Sequence, residues 1–294
     1  MNTPRIPVMG ETIMGDGFMT IPGGKGANQA VAAARLGGEV TMIGNVGGDL
    51  FGVSLKENLN INHVDSQHVK TLDNVPTGVA IVVVKEGNNC IILDSGANFK
   101  ISPEDISDVE SVIKDSDILL LQMEIPQDAI ERAVDIACKY GIKVLLNPAP
   151  ARVLSNDFLA KIDILTPNES ECEYITGLKL RTIEDARISV KCLIEKGIKQ
   201  AVVTLGGRGV IYNNGDEIIH KPVPEVEVVD TTAAGDSFIG ALAVALTEGM
   251  SIDDAIDFAN AVGTITVTRK GAQTSLPFRE ELGKSRSRTI IHEL

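Results

Sequence analysis

From about residue 100 onward, short apolar runs alternate with amphipathic stretches. Asp117-Ile-Leu-Leu-Leu-Gln122, Lys143-Val-Leu-Leu-Asn147, a segment near 162–166 and Gln200-Ala-Val-Val-Thr-Leu205 read as buried strands. Helical periods cover roughly 127–140 and 182–196, and two more helices are expected over roughly 236–248 and 252–268. Ser102-Pro103-Glu104-Asp105 predicts a helix start, with Ser as N-cap, Pro at the first helical position and acids in the first turn. Strand and helix alternating in this way predict parallel βαβ units with right-handed crossovers, an α/β fold.

The first hundred residues follow a different pattern. Thr77-Gly-Val-Ala-Ile-Val-Val-Val84 and Cys90-Ile-Ile-Leu-Asp94 flank Glu86-Gly-Asn-Asn89, which predicts a hairpin. Residues 1–22 carry Pro4, Pro7 and Pro22 and no helical period, so they are read as extended. These segments, within about 1–22 and 67–98, are expected to form a small β lid on one α/β domain spanning 1–294. No internal repeat, low-complexity tract or long linker interrupts the chain.

Five segments carry candidate chemistry. Pro22-Gly-Gly-Lys-Gly-Ala-Asn28 is followed by a mostly alanine helix beginning at about Gln29. Its glycines let the backbone approach a ligand, while Lys25 and Asn28 offer a cation and an amide; a glycine-rich turn before a buried helix explains it equally well. It has neither the GxxxxGK[ST] spacing of a P-loop nor GxGxxG, which argues against a Rossmann-type dehydrogenase. Asp230-Thr-Thr-Ala-Ala-Gly-Asp236 leads into a helix with Phe238, Ile239, Leu242, Ala245 and Leu246 at helical spacing. The free amides of Ala233, Ala234, Gly235 and Asp236 are expected to converge there as an anion hole, and Asp236 is placed to take a proton from a substrate hydroxyl. In Thr166-Pro-Asn-Glu-Ser-Glu171, Asn168 and Glu171 share one face of a first helical turn, read by itself as a capped helix start. Thr204-Leu-Gly-Gly-Arg-Gly209 leaves a strand at the carboxyl edge of the expected sheet, where such folds bind ligands. Val267-Thr-Arg-Lys-Gly-Ala-Gln-Thr-Ser275, read by itself, is a solvated loop.

Composition narrows the choices. Hydrophobic residues make up 44% and charged residues 23% of the 294, enough for a large core. Aromatics are only 3% and Trp is absent, so the core is built mainly from Ile, Val, Leu and Ala, which suits buried parallel strands. With 27 basic against 40 acidic residues and a net charge of −13, nucleic acid and anionic membranes are disfavoured partners, and any phosphate site must be made locally. Cys90, Cys138, Cys172 and Cys192 form no CxxC pair and read as reduced core thiols of a cytoplasmic protein. The N-terminal residues lack the order of a signal peptide, and no apolar run approaches 18 residues.

Taken in order, GGKGAN, QMEIP, NPAP, TPNE, TLGGRG, DTTAAGD and TRKGAQ resemble the landmarks of the ribokinase family of carbohydrate kinases, over about Gly10 to Phe278. The resemblance implies a three-layer α/β/α fold with a mostly parallel central sheet and a β lid that also serves a homodimer. It implies ATP-dependent phosphorylation of ribose at its 5-hydroxyl, giving ribose 5-phosphate and ADP. ATP is then expected in the half spanning about 160–280, against Asn168, Thr204, Leu205, Gly206, Gly207, Arg208, Gly209, Gly235, Asp236 and Asn260. The sugar is expected against Gly24, Lys25, Gly26, Ala27, Asn28 and Glu124, with Asp236 facing the reacting hydroxyl. Mg2+ is implied, organised indirectly by Glu171. K+ is implied at Asp230, Thr232, Thr266, Arg269, Gly271 and Ser275, largely through main-chain oxygens.

In one respect this sequence departs from the family. The family carries an Asn and an Asp that hold sugar hydroxyls on a strand preceding the stretch matched by Arg5-Ile-Pro-Val-Met-Gly-Glu-Thr12, and no such strand lies within Met1-Asn2-Thr3. Either the sequence begins downstream of that strand or its sugar contacts are reduced, each lost hydrogen bond costing about 1–3 kcal/mol. The rival readings are a kinase of the same family for fructose, deoxyribose, a nucleoside or a sugar acid, and a non-catalytic sugar or nucleotide sensor. Gly283-Lys-Ser-Arg-Ser-Arg-Thr-Ile-Ile-His-Glu-Leu294 shows no amphipathic helical pattern and is given no role.

Overall fold

In the computed structural model, residues 1–85 and 88–285 are described. Six strands form the central sheet, in the order Glu217–Lys221, Val210–Asn214, Gln200–Thr204, Ile164–Leu165, Lys143–Leu146 and Ile118–Leu121. The last four run parallel, Leu121 opposite Leu146 and Leu146 opposite Leu165. The first two turn back antiparallel, as an Asn214-Gly215 hairpin with Gly215 at φ 58°. The Asn-Gly pair is itself a hairpin signal, though the apolar pattern alone does not mark these two strands.

Helices cover both faces. On one, Pro103–Asp108, Gln127–Tyr140 and Ile183–Glu195 pack Ile106, Ile130, Val134, Val190 and Leu193 against Val144, Leu146 and Val203. On the other, Ala234–Thr247 and Ile252–Val267 pack Leu242, Ile256 and Val262 against Leu145, Val202 and Tyr212. Alternate residues of the same strands thus serve opposite faces, the signature of a sheet buried on both sides. Helix Gln127–Tyr140 ends at Gly141, whose left-handed φ of 71° stops the helix before strand Lys143–Leu146.

Strands Val79–Lys85 and Asn88–Asp94 pair antiparallel with Ile81 opposite Ile92. Glu86 and Gly87 of the expected turn lie outside the described residues. The N-terminal segment joins this hairpin, with Thr3 N–H donating to the Val84 carbonyl and Val84 N–H to the Met1 carbonyl, both at 3.0 Å. Helix Leu50–Ile61, which the apolar pattern does not predict, is capped by Asp49, whose carboxylate accepts from Gly52 N–H and from the Thr77 N–H and hydroxyl. These bonds hold the Asp49 carboxyl down at about 2.

The thiols differ from expectation. Cys90 and Cys138 are exposed and only Cys172 is fully in the core, its thiol pushed up to about 12 by burial. Helix Arg279–Ser285 extends into the stretch expected to be non-helical, because Phe278 and Arg279 anchor its start: Phe278 N–H donates to Glu281, and Arg279 donates to the Leu36 carbonyl. Residues 286–294 lie outside the described part. No described helix is long and apolar enough to cross a membrane.

Candidate active site

The parallel strands deliver four groups of candidate residues from their carboxyl ends: Leu121 leads to Gln122 and Glu124, Leu146 to Asn147, Leu165 to Thr166 and Asn168, and Thr204 to its glycine turn. A cleft of about 2360 Å³ opens in front of the first of these strands, lined by Gly24–Asn28, Glu124, Asp230–Ala233 and Asp236. It continues along Ile118–Leu121, whose second edge has no strand partner among the described residues. Thr204–Gly209, Asn168 and Asn260 are not among the cleft's lining residues.

The GGKG helix begins at Lys25, about four residues earlier than the alanine run suggests. Gly24 takes φ 90°, a left-handed turn that an L side chain resists, and so lets the chain break directly into the helix. Lys25 N–H, one of the unpaired first-turn amides, donates to Glu124 Oε2 at 2.9 Å. Burial pushes the Glu124 carboxyl upward, against the opposing pull of the Lys25 N–H and its ammonium. Asn28 and Gln29 then face inward, 6% and 0% exposed.

Across the cleft, helix Ala234–Thr247 starts at Ala233, a non-glycine residue held at φ 60° with no side-chain cap. No described group accepts from the amides of Ala233, Gly235 and Asp236, so they stay open to an anion at the positive end of the helix. Ala234 departs from the expected set: its N–H donates to the Thr231 carbonyl at 3.2 Å, closing the turn that brings the other amides together. The Asp236 carboxylate is 7% exposed and gripped at both oxygens, Oδ2 by Asn28 Nδ2 at 2.8 Å and Oδ1 by Gln29 Nε2 at 3.0 Å. Gln29 is absent from the sequence-based set of site residues. Its neighbour Asn28 is found because the glycine motif ends there, whereas Gln29 looks like the first residue of a buried helix.

The loop before this helix is tied down by Asp230, which accepts from Thr232 N–H and Gly271 N–H, each at 2.9 Å. Burial pushes the Asp230 carboxyl up, but these bonds outweigh it and hold it below the usual range. The 230–236 and 267–275 segments are thereby joined. Arg269 turns away to pair with Glu281, and Thr266 and Ser275 spend their hydroxyls on the carbonyls of Val262 and Ala272.

Asn168 and Glu171 form a reciprocal capping box on helix Glu169–Thr176: Asn168 Oδ1 accepts from Glu171 N–H, and Glu171 accepts from Asn168 N–H and Nδ2, all at 2.9 Å. Burial pushes the Glu171 carboxyl up, with Lys25 and Asp236 acting on it at longer range. The Thr204–Gly209 turn is docked on the same helix start, Thr204 N–H donating to the Pro167 carbonyl and Arg208 pairing with Glu169. Gly209 has no room for a side chain: a Cβ there would lie 2.1 Å from the Lys221 carbonyl oxygen. Asn260 sits half-buried on helix Ile252–Val267, its side chain making no hydrogen bond with the described residues.

A carboxylate fixed beside open helix-start amides, on a glycine-rich α/β cleft, is a constellation for phosphoryl transfer to a hydroxyl. The family model described as pfkB family carbohydrate kinase matches residues 1–279. The chain belongs to the pfkB family of carbohydrate kinases. This pfkB kinase is 43% identical to the ribokinase of Haemophilus influenzae over 96% of its own length and 92% of the relative's. Its fold is similar to that of Arabidopsis thaliana ribokinase, solved in complex with ribose and ATP, at a TM-score of 0.91 and 36% identity, covering 98% and 95% of the two chains. A putative ribokinase II of E. coli, solved with ATP and Mg2+, is similar at a TM-score of 0.80 and 25% identity over 96% and 94%.

Proposed function

We propose that this pfkB kinase is a ribokinase, transferring the γ-phosphoryl group of ATP to the 5-hydroxyl of D-ribose to give D-ribose 5-phosphate and ADP. The observation that carries the reading is the buried Asp236 carboxylate held by Asn28 and Gln29 at the start of an uncapped helix. The ribokinase relatives, one of them solved with ribose and ATP, support the choice of sugar and nucleotide.

Asp236 takes the hydroxyl proton as the sugar oxygen attacks phosphorus, and the amides of Gly235, Asp236 and Ala233 receive the charge that spreads over the transferring oxygens. Gly24, Lys25, Gly26, Ala27, Asn28 and Glu124 hold the sugar. Asn168, the Thr204–Gly209 turn, Gly235 and Asn260 hold the nucleotide, which then reaches into the cleft from its rim. Mg2+ brought in with ATP would supply positive charge to neutralise the phosphates. Among the described residues no cluster of three His, Cys, Asp or Glu could cage a metal ion. The ion would be held mainly by the ATP phosphates and water, with Glu171 placed to order that water indirectly.

A monovalent cation, K+, fits beside the anion loop, at Asp230, Thr232, Thr266, Arg269, Gly271 and Ser275. The side chains of Asp230, Thr266, Arg269 and Ser275 are turned to internal partners, which leaves main-chain oxygens for a cation. Turnover is expected to fall about tenfold when K+ is replaced by a large organic cation, and Asp230→Asn is expected to blunt that dependence. Equal kcat with and without K+ excludes the site. The lid hairpin presents the cross-strand pair Ile81 and Ile92 on one face, each more than half exposed, which supports a homodimer closed through the lid. Free cysteines and a nucleotide substrate support a cytoplasmic location.

Ribose-dependent ADP release in a coupled assay, with deoxyribose, fructose and a nucleoside in parallel, tests the proposal. The highest kcat/KM is expected with ribose. A higher value for another sugar reassigns the substrate, and calorimetric sugar binding without ADP release identifies a sensor.

A further inference from the structure

The QMEIP and NPAP segments contribute two amides that the proposed reaction leaves unused, Gln122 and Asn147, and both touch Gln29. Gln122 Nε2 donates to Gln29 Oε1 at 2.5 Å. Gln29 Nε2 donates both to Asp236 Oδ1 at 3.0 Å and to Asn147 Oδ1 at 3.2 Å. Asn147 Nδ2 donates to the main-chain carbonyl of Thr166 at 2.9 Å. Gln29 and Asn147, at the centre, are 0% and 5% exposed, so water does not offer alternative partners.

The direction of this chain of amides is decided at its ends. The Thr166 carbonyl and the Asp236 carboxylate can only accept. Asn147 must therefore turn its NH2 to Thr166 and its oxygen to Gln29. Gln29 must turn its NH2 toward Asn147 and Asp236, and its oxygen is left for Gln122, which has to donate. Reversing any one amide sets oxygen against oxygen or N–H against N–H at a buried contact. We propose that Gln122, Gln29 and Asn147 form a polarised amide chain, oriented by the Thr166 carbonyl, that positions the Asp236 carboxylate for proton abstraction. The inference rests on the reading of Asp236 as the base. Gln29 on Oδ1 and Asn28 on Oδ2 together stop rotation of the carboxylate, which keeps the remaining lone pairs aimed into the cleft. These are positioning residues: the chain's far end, Gln122, touches Asp236 only through Gln29.

The polarity predicts an unusual order of effects. Gln122→Glu is nearly isosteric, but a carboxylate there cannot donate, so it drives Gln29 to reverse its amide and aim oxygen at Asp236. Gln122→Met removes the donor without demanding reversal, because Asn147 still holds Gln29. Steady-state kinetics with ribose and ATP should show kcat lowered about tenfold or more in Gln122→Glu and only about threefold in Gln122→Met, with both KM values within about twofold of the parent enzyme. A packing role gives the opposite order, since Glu preserves shape better than Met; that order, or an unchanged kcat in Gln122→Glu, overturns the proposal. Should Gln122→Glu yield no folded protein, Gln29→Met keeps the volume and removes the central amide. Its kcat should fall by about tenfold to a hundredfold at unchanged KM, and an unchanged kcat again overturns the proposal. Asp236→Asn measured beside them separates the two ideas: if it is inactive while Gln122→Glu matches the parent enzyme, only the amide chain fails, and if it keeps full kcat the base itself is misassigned.

Discussion

Asp236→Asn is expected to lower kcat by roughly 10²–10⁴, the range for loss of a general base. The substitution also disturbs the ground state. Asn28 Nδ2 and Gln29 Nε2 both donate to the carboxylate, and an amide at position 236 offers one of them an N–H instead of an oxygen. A buried donor left unpaired costs about 1–3 kcal/mol, so the melting temperature should fall as well. The double variant Asn28→Asp/Asp236→Asn separates the two effects. It restores complementary donors and acceptors across the pair, and the carboxylate introduced at position 28 can still accept from Gln273 Nε2, as Asn28 does at 3.1 Å. Melting temperature should recover while kcat stays low. Recovery of kcat along with stability would remove Asp236 from proton transfer and leave it a structural role.

Substitution of Gly240 is expected to damage activity from outside the cleft. Gly240 lies at the crossing of helices Lys25–Arg35 and Ala234–Thr247, where an added Cβ would sit 2.7 Å from the Gln29 carbonyl oxygen and 2.8 Å from Ala32 Cβ. Backbone and a methyl cannot swing aside, so the helices must separate. Overpacking of this kind costs about 1–3 kcal/mol, more than the roughly 1 kcal/mol that Ala gains over Gly in a helix. The same crossing carries Asn28 and Gln29 onto Asp236, so a small separation of the helices loosens the grip on the carboxylate. We expect Gly240→Val to lose about tenfold or more in kcat and several degrees in melting temperature, with Gly240→Ala intermediate. Gly263→Ala is the control: its Cβ meets only the Ala234 carbonyl, at 3.8 Å, and should leave stability equal or raised by about 0.5–1 kcal/mol. Equal behaviour of Gly240→Val and Gly263→Ala would show that the crossing tolerates the added volume.

Much of the fold was legible because periodicity is local. Helices Gln127–Tyr140 and Ile183–Glu195 and strands Lys143–Leu146 and Gln200–Thr204 lie where the apolar spacing placed them. The misses were also physical. Helix Leu50–Ile61 has a weak apolar stripe and is held by Asp49, whose partner Thr77 is 28 residues away, so its stability is not written in its own period. The GGKG helix starts at Lys25 because Glu124, 99 residues on, supplies an acceptor for its first amide. Glycines at positions 24 and 26 disguised that start.

The candidate site divides in the same way. Asp236 and the amides near it could be read from the sequence, because small residues before an apolar helix leave N–H groups unpaired wherever the helix is docked. That Ala234 is not one of the open amides depends on a turn closed by Thr231. By itself, the sequence determined the alternation of the four parallel strands with their helices from residue 100 onward, though not the antiparallel pair Val210–Asn214 and Glu217–Lys221. It also determined the open helix start and the carboxylate on it, since each follows from steric preference and hydrogen-bonding capacity within a few residues. Only the tertiary structure decided which groups hold that carboxylate. Gln29, Asn147 and Gln122 are separated by up to 118 residues, and an amide's choice between presenting oxygen or nitrogen is settled by acceptors that reach it from other elements, the Asp236 carboxylate on a helix and the Thr166 carbonyl beyond a strand.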